Sequence, residues 1–290
     1  MPKIYKSAEG ERLVRERYLA FLKHWLVPHE QFRLPTCQGE TFVIASGEES
    51  APPLFLFHGG IANSAMWMAD MPAFARHFRV YCVDMIGEPG LSAPSRPPIS
   101  SDAYALWLDD VFQGLAVERA SLAGVSLGGW LALDYATRRP ERIARVAVMC
   151  PAGIGRQKLG IVFATLILRV GGRWGKRKLT EKVLGRPPAN PAPPVKAFID
   201  FFVFIRRHFR PRMVKFRIFS DDDLRNLCMP VLAIVGGKDV LLDSAQTRSR
   251  LERHAPHAEV VFLAEAGHFI PGQTARMIEF LRGSSSTPDA

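Results

Sequence analysis

The sequence predicts an α/β chain: a doubly wound, mostly parallel sheet with an inserted helical lid. Three observations carry that prediction. Short, wholly apolar runs such as Pro53-Leu-Phe-Leu-Phe57 suit parallel strands buried on both faces. Segments of helical periodicity separate such runs, the alternation expected of β-α-β units. Finally, Ala120-Ser-Leu-Ala-Gly-Val125 starts as a buried strand and turns sharply through Gly124-Val-Ser126-Leu-Gly128. A helix over 130–139 follows it, stopped by Pro140.

In chain order, residues 7–26 read as the first helix, with Leu13, Val14, Leu19, Phe21, Leu22 and Trp25 recurring among Arg, Glu and Lys. Pro28 and Pro35 close it. Residues 41–47 form a strand, and Pro53–Phe57 the next, which ends in His58-Gly59-Gly60. A strand over 79–84 runs into the loop 84–90, and a proline-rich loop over 92–101 leads to a helix near 102–115. Strands at 143–150, 230–236 and 259–263 complete the sheet, with a helix near 244–255 between the last two. Ligands of such sheets bind at the carboxyl ends of the strands. His58, Asp84, Ser126, Asp239 and His268 all fall just beyond strand ends.

Residues 152–225 break this rhythm. They hold an apolar stretch (159–170), a glycine-rich basic stretch (171–178), a proline-rich stretch (186–194) and an aromatic segment (198–219). The expected division is therefore a core of 1–151 and 226–282, a basic and aromatic lid of 152–225, and a flexible tail of 283–290. Between 156 and 217 there are 16 Lys or Arg against Glu181 and Asp200 alone, a surplus of 14. The whole chain carries +10, so the remainder is slightly acidic. A charge this local argues against general nucleic-acid binding and points to a lid facing anionic substrates, lipid headgroups or an acidic partner.

At 290 residues the chain can bury a large core, and 48% hydrophobic against 23% charged residues place it among ordinary globular proteins. Four cysteines, at 37, 82, 150 and 228, show no C-x-x-C spacing. Cys82 and Cys150 sit in apolar strand runs, as buried thiols do. The start of the chain lacks the apolar region of a signal peptide, and no apolar run reaches membrane-span length. A cytoplasmic location and no bound metal are the expectation. His254-Ala-Pro-His257 is read as surface residues, because Pro256 breaks the spacing and no third ligand is near.

The chemistry is concentrated at the glycine-flanked serine. Gly124 and Gly128 leave room for a strained turn on which Ser126 stands, beside the free N–H groups of a helix start. A serine hydroxyl needs a base, and His268 follows the last strand; a histidine base needs an orienting acid, and Asp239 follows the strand before it. The simpler alternatives are that Ser126 or Asp239 caps a helix and that Asp243 is the acid. The order Ser126, Asp239, His268 is one that hydrolases of this architecture use.

On these residues the chain resembles the α/β-hydrolase superfamily, over about residues 40–282. The resemblance implies an α/β-hydrolase fold and a serine hydrolase that needs no cofactor. It implies that His58-Gly59-Gly60-Ile61 carries part of an oxyanion hole, with the backbone N–H groups of Gly60 and Leu127 as donors and His58 shaping the loop. A carboxylic ester is the first expectation for the substrate, a small acyl compound. Thioesters, lipids, C–C bonds and acyl transfer are alternatives on the same triad, as is a non-catalytic binding protein that uses the basic lid. One departure stands out: many relatives read D-x-x-G-x-G-x-S, whereas Asp84-Met-Ile-Gly-Glu-Pro-Gly-Leu-Ser92 carries an extra residue between its glycines.

Overall fold

The computed structural model describes residues 4–158, 193–212 and 216–283. The strands are β1 (His29–Leu34), β2 (Thr41–Ser46), β3 (Pro53–Phe57), β4 (Arg79–Val83), β5 (Ala120–Val125), β6 (Ile143–Met149), β7 (Val231–Gly236) and β8 (Glu259–Leu263). They form one sheet in the order β1-β2-β4-β3-β5-β6-β7-β8. β1 with β2, and β2 with β4, pair antiparallel; every other pairing is parallel. β2 to β7 are buried almost throughout, because helices cover both faces.

The helices are α1 (Ala8–Leu22), α2 (Met71–Phe74), α3 (Ala103–Gly114), α4 (Leu127–Arg138), α5 (Pro193–His208), α6 (Asp221–Arg225), α7 (Ser244–His254) and α8 (Thr274–Arg282). Ser7 caps α1 by accepting the Gly10 N–H, and Pro140 follows the end of α4. The acidic run 221–223 starts α6 in a capping box, with Ser220 and Asp223 bonded reciprocally. One core layer centres on Trp107, Phe112, Trp130 and Tyr135. The other holds α1, Trp67 and Phe74, and also Phe201, Ile205 and Phe209 from the end of the insertion.

Two sequence expectations are corrected. β1 lies where the chain reads as a connection between Pro28 and Pro35: its His-Glu-Gln-Phe-Arg-Leu alternates outward polar groups because it is the sheet edge. α4 begins at Leu127, three residues before the predicted start, through two glycines of low helix propensity held by packing.

The stretch expected as an insertion leaves and rejoins the core at neighbouring points. Phe219 N–H donates to the Gly153 carbonyl at 2.7 Å, and Phe216 N–H to the Gln157 side chain at 2.9 Å, so its two ends meet. Residues 152–158 lie against the β7–α7 loop, where Lys158 N–H donates to the Leu241 carbonyl at 2.7 Å. Of the expected lid pieces, 159–170, 171–178 and most of 186–194 lie outside the described residues, as does 284–290 of the tail. The described helix α5 packs on α1, with Phe201 stacked on Phe21 at 4.9 Å between ring centroids. Among the described residues no helix is long and apolar enough to cross a membrane.

Candidate active site

The turn after β5 has the geometry its glycines require. Ser126 sits at φ 54° and ψ −108°, a region L-residues rarely occupy, and its N–H donates to the Met149 carbonyl at 2.9 Å. A Cβ on Gly124 would overlap the Gly128 carbonyl, and one on Gly128 would overlap the Phe57 carbonyl. Neither position tolerates a side chain. Ser126 does not cap α4 through its hydroxyl, so the capping alternative falls away.

The hydroxyl instead faces His268. Ser126 Oγ lies 3.0 Å from His268 Nε2, and His268 Nδ1 lies 2.7 Å from Asp239 Oδ2. Asp239 comes from the turn after β7, and its other oxygen accepts the N–H groups of Leu241 at 2.7 Å and Leu242 at 3.1 Å. Burial works to push the Asp239 carboxyl up, but the hydrogen bond and charge of His268 and those two N–H groups outweigh it. The acid is held below its usual range and stays a carboxylate, so Nδ1 carries the imidazole proton and Nε2 is left to accept from Ser126. Asp243 is the N-cap of α7, accepting the Gln246 N–H at 3.0 Å, and is not the partner of His268.

Two backbone donors stand beside the serine. Leu127 opens α4, so its N–H has no partner within the helix. Gly60 packs next to it: a Cβ there would lie 3.8 Å from Leu127 Cδ2. Neither the Gly60 N–H nor the Leu127 N–H is hydrogen-bonded among the described residues, whereas Gly59 N–H meets Met66 Sδ at 3.4 Å and Ile61 N–H meets Glu88 Oε2 at 2.7 Å. His58 is fully buried, accepts the Met85 N–H at Nε2 (3.0 Å) and lies 2.8 Å from the Gly59 carbonyl at Nδ1. Burial lowers its pKa and keeps it neutral, partly offset by Asp84. It shapes the loop.

The loop after β4 braces this one. Asp84 accepts from Tyr18 Oη at 2.9 Å, from Ser64 N at 2.9 Å and Oγ at 2.7 Å, and from Leu91 N at 2.8 Å. Asn63 Nδ2 donates to the Pro89 carbonyl at 2.9 Å. Tyr18 and Glu88 were not singled out from sequence. For Glu88 the available signal was the extra residue between Gly87 and Gly90.

Cys150, Asp239 and His268 offer ligand-type atoms within 4.8 Å of one another. Burial, followed by the nearby Asp239 charge, pushes the Cys150 thiol far up, so it packs as a protonated, apolar group. His257 Nε2 lies 3.1 Å from the Met229 carbonyl, and His254 Nε2 lies 3.4 Å from Asp221 Oδ1.

Comparison with known proteins finds relatives over nearly the whole chain. The model of the family described as "Alpha/beta hydrolase family" matches residues 54–280. Carboxylesterase YbfK of Bacillus subtilis is 30% identical over 288 residues, covering 96% of this chain and 97% of its own. The crystal structure of that carboxylesterase, CesB, superposes with a TM-score of 0.81 over 96% of this chain and 100% of its own, at 30% identity. Naproxen esterase from Bacillus subtilis gives a TM-score of 0.81 at 28% identity, over 96% of this chain and 99% of its own. The parallel sheet, the serine on its glycine-flanked turn and these likenesses converge: the chain belongs to the alpha/beta hydrolase family.

Proposed function

We propose that the protein is a serine hydrolase that cleaves carboxylic esters through an acyl-enzyme. Ser126 Oγ attacks the ester carbonyl while His268 Nε2 takes its proton, and Asp239 holds the imidazole in the tautomer that can accept. The tetrahedral oxyanion takes the N–H groups of Gly60 and Leu127. His268 returns the proton to the departing alcohol, and water then repeats the sequence to release the acid. The observation that carries this reading is the unbroken chain Asp239–His268–Ser126 at 2.7 and 3.0 Å, standing beside two unengaged donors. Esters are preferred to thioesters, lipids, C–C bonds or acyl transfer because YbfK, matched over nearly its full length, is named a carboxylesterase.

Hydrolysis of p-nitrophenyl esters of increasing acyl length, with Ser126→Ala alongside, tests it. Turnover and fluorophosphonate labelling in the wild type, both lost in Ser126→Ala, are expected; equal turnover in the mutant would sink the mechanism. The basic surplus of the insertion supports a peripheral contact with anionic surfaces, checked by salt-dependent sedimentation with anionic against neutral vesicles. Four free cysteines support the expected cytoplasmic location.

A further inference from the structure

The Glu88 carboxylate is buried, only 3% exposed, and feels the Arg96 and Arg212 charges from a distance rather than through a hydrogen bond among the described residues. Its one hydrogen bond there comes from the backbone, the Ile61 N–H at 2.7 Å. The nearby cations are committed elsewhere. Arg96 donates to the Gly87 carbonyl at 2.9 Å and the Arg210 carbonyl at 2.8 Å; Arg212 donates to Tyr104 Oη at 2.6 Å and the Pro97 carbonyl at 3.0 Å. A buried carboxylate so sparsely compensated weakens a fold, and its placement calls for a functional reason.

Its partner supplies one. Ile61 is a β-branched residue at φ 64°, a backbone state that persists only when the surroundings over-determine it. The Ile61 N–H follows directly on Gly60, so the contact with Glu88 fixes the peptide next to the free Gly60 donor. On the other side, Gly59 is held through Met66 and the His58 ring. Gly60 is thus pinned from both sides while its own N–H stays unpaired.

We propose that Glu88 is a positioning residue of the oxyanion pocket: its carboxylate, by accepting the Ile61 N–H, holds the Gly59–Ile61 turn so that the Gly60 N–H stands beside that of Leu127. This rests on the serine-hydrolase reading above. Glu88 stands in the loop after β4, between Gly87 and Gly90, and that loop brings its carboxylate to the Ile61 peptide. Burial pushes the Glu88 carboxyl up to about 7, against the pull of the Ile61 N–H, Arg96 and Arg212. The other titratable groups that sense it are the phenols of Tyr5 and Tyr104, both raised by burial and uncharged in that range. Glu88 therefore changes charge near neutrality, and its protonated form resembles a glutamine.

The test is steady-state hydrolysis of a p-nitrophenyl ester by wild type, Glu88→Gln, Glu88→Ala and Ser126→Ala, from about pH 8.5 to about pH 5.5. At the alkaline end Glu88→Gln should lose about tenfold in kcat with KM little changed, and affinity for a boronic acid that mimics the tetrahedral intermediate should fall in proportion. The ratio of wild-type to Glu88→Gln turnover should close toward one as the pH falls through 7, because the wild type then also carries a neutral group. A merely structural role would give a ratio independent of pH. Glu88→Ala should be weaker still; if it fails to fold, the near-isosteric Glu88→Gln decides alone. Wild-type turnover abolished in Ser126→Ala but unchanged in Glu88→Gln, or a constant ratio, overturns the assignment and leaves the hydrolase reading standing. A wild type without turnover, or an active Ser126→Ala, overturns the hydrolase reading itself and Glu88's role with it.

Discussion

At the scale of single residues, the site depends on which oxygen does what. Asp239 Oδ1 is taken by the Leu241 and Leu242 N–H groups, and Oδ2 by His268. In Asp239→Asn the amide must turn its carbonyl toward the two N–H groups, which aims its NH₂ at His268 Nδ1. The imidazole would then carry its proton on Nε2 and could not accept from Ser126. We expect kcat to fall by about 10⁴-fold with the fold intact, read from kinetics beside circular dichroism. Near-normal turnover in Asp239→Asn would show that another carboxylate orients the base. Gly128→Ala should act differently. Its methyl would meet the Phe57 carbonyl, which is backbone and cannot swing aside. A loss of stability on the order of 3 kcal/mol is expected, measured by denaturant unfolding; wild-type stability would mean that the turn relaxes.

Among the elements, α5 shows how the insertion is joined to the core. Phe201 is fully buried between Tyr18 and Phe21 of α1, while Arg17 lies over Phe204 at 4.9 Å. Tyr18 in turn donates to Asp84 at the end of β4. Truncating Phe201 should cost about 3–5 kcal/mol as a core cavity does, seen as a lowered unfolding midpoint, whereas a change below about 1 kcal/mol would mean that α5 does not need this anchor. This contact was not legible in the sequence. The phenylalanines of 198–219 give no periodicity that separates core packing from pocket lining, and the partner helix lies nearly two hundred residues away. What was legible is whatever local chemistry dictates: β3 and β7 are apolar runs, β5 is apolar apart from Ser121, and Ser126, Asp239 and His268 each stand past a strand end. β1 was hidden because an edge strand has polar groups facing water. The start of α4 was hidden because Gly128 and Gly129 are chosen for close approach rather than for helix propensity.

For the whole molecule, two buried carboxylates set a dependence of stability on pH. Burial raises Glu88 from 4.5 to about 7, and raises Asp134 of α4 from 3.8 to about 6, against the pull of Arg138. A carboxyl raised on folding contributes stability fully below its unfolded value, and that contribution is lost as pH rises through the folded value. His58 works the other way: its pKa is lowered by burial, so its contribution fades as pH falls below the ordinary histidine value. Asp239 also opposes, but only below the usual carboxylate range. The informative quantity is therefore the difference between wild type and a Glu88→Gln/Asp134→Asn double variant, in which His58 and Asp239 cancel. Between about pH 5 and about pH 8 that difference should move by about 4 kcal/mol in favour of the double variant. Urea unfolding at the two pH values measures it, and a difference that stays constant would show that neither carboxyl is raised. The direction has a functional consequence. The neutral to alkaline range in which Glu88 weakens the fold is the range in which its carboxyl is charged and accepts the Ile61 N–H most strongly. A buried acid kept at that cost beside the Gly60 donor is what a site selected for turnover rather than stability would retain.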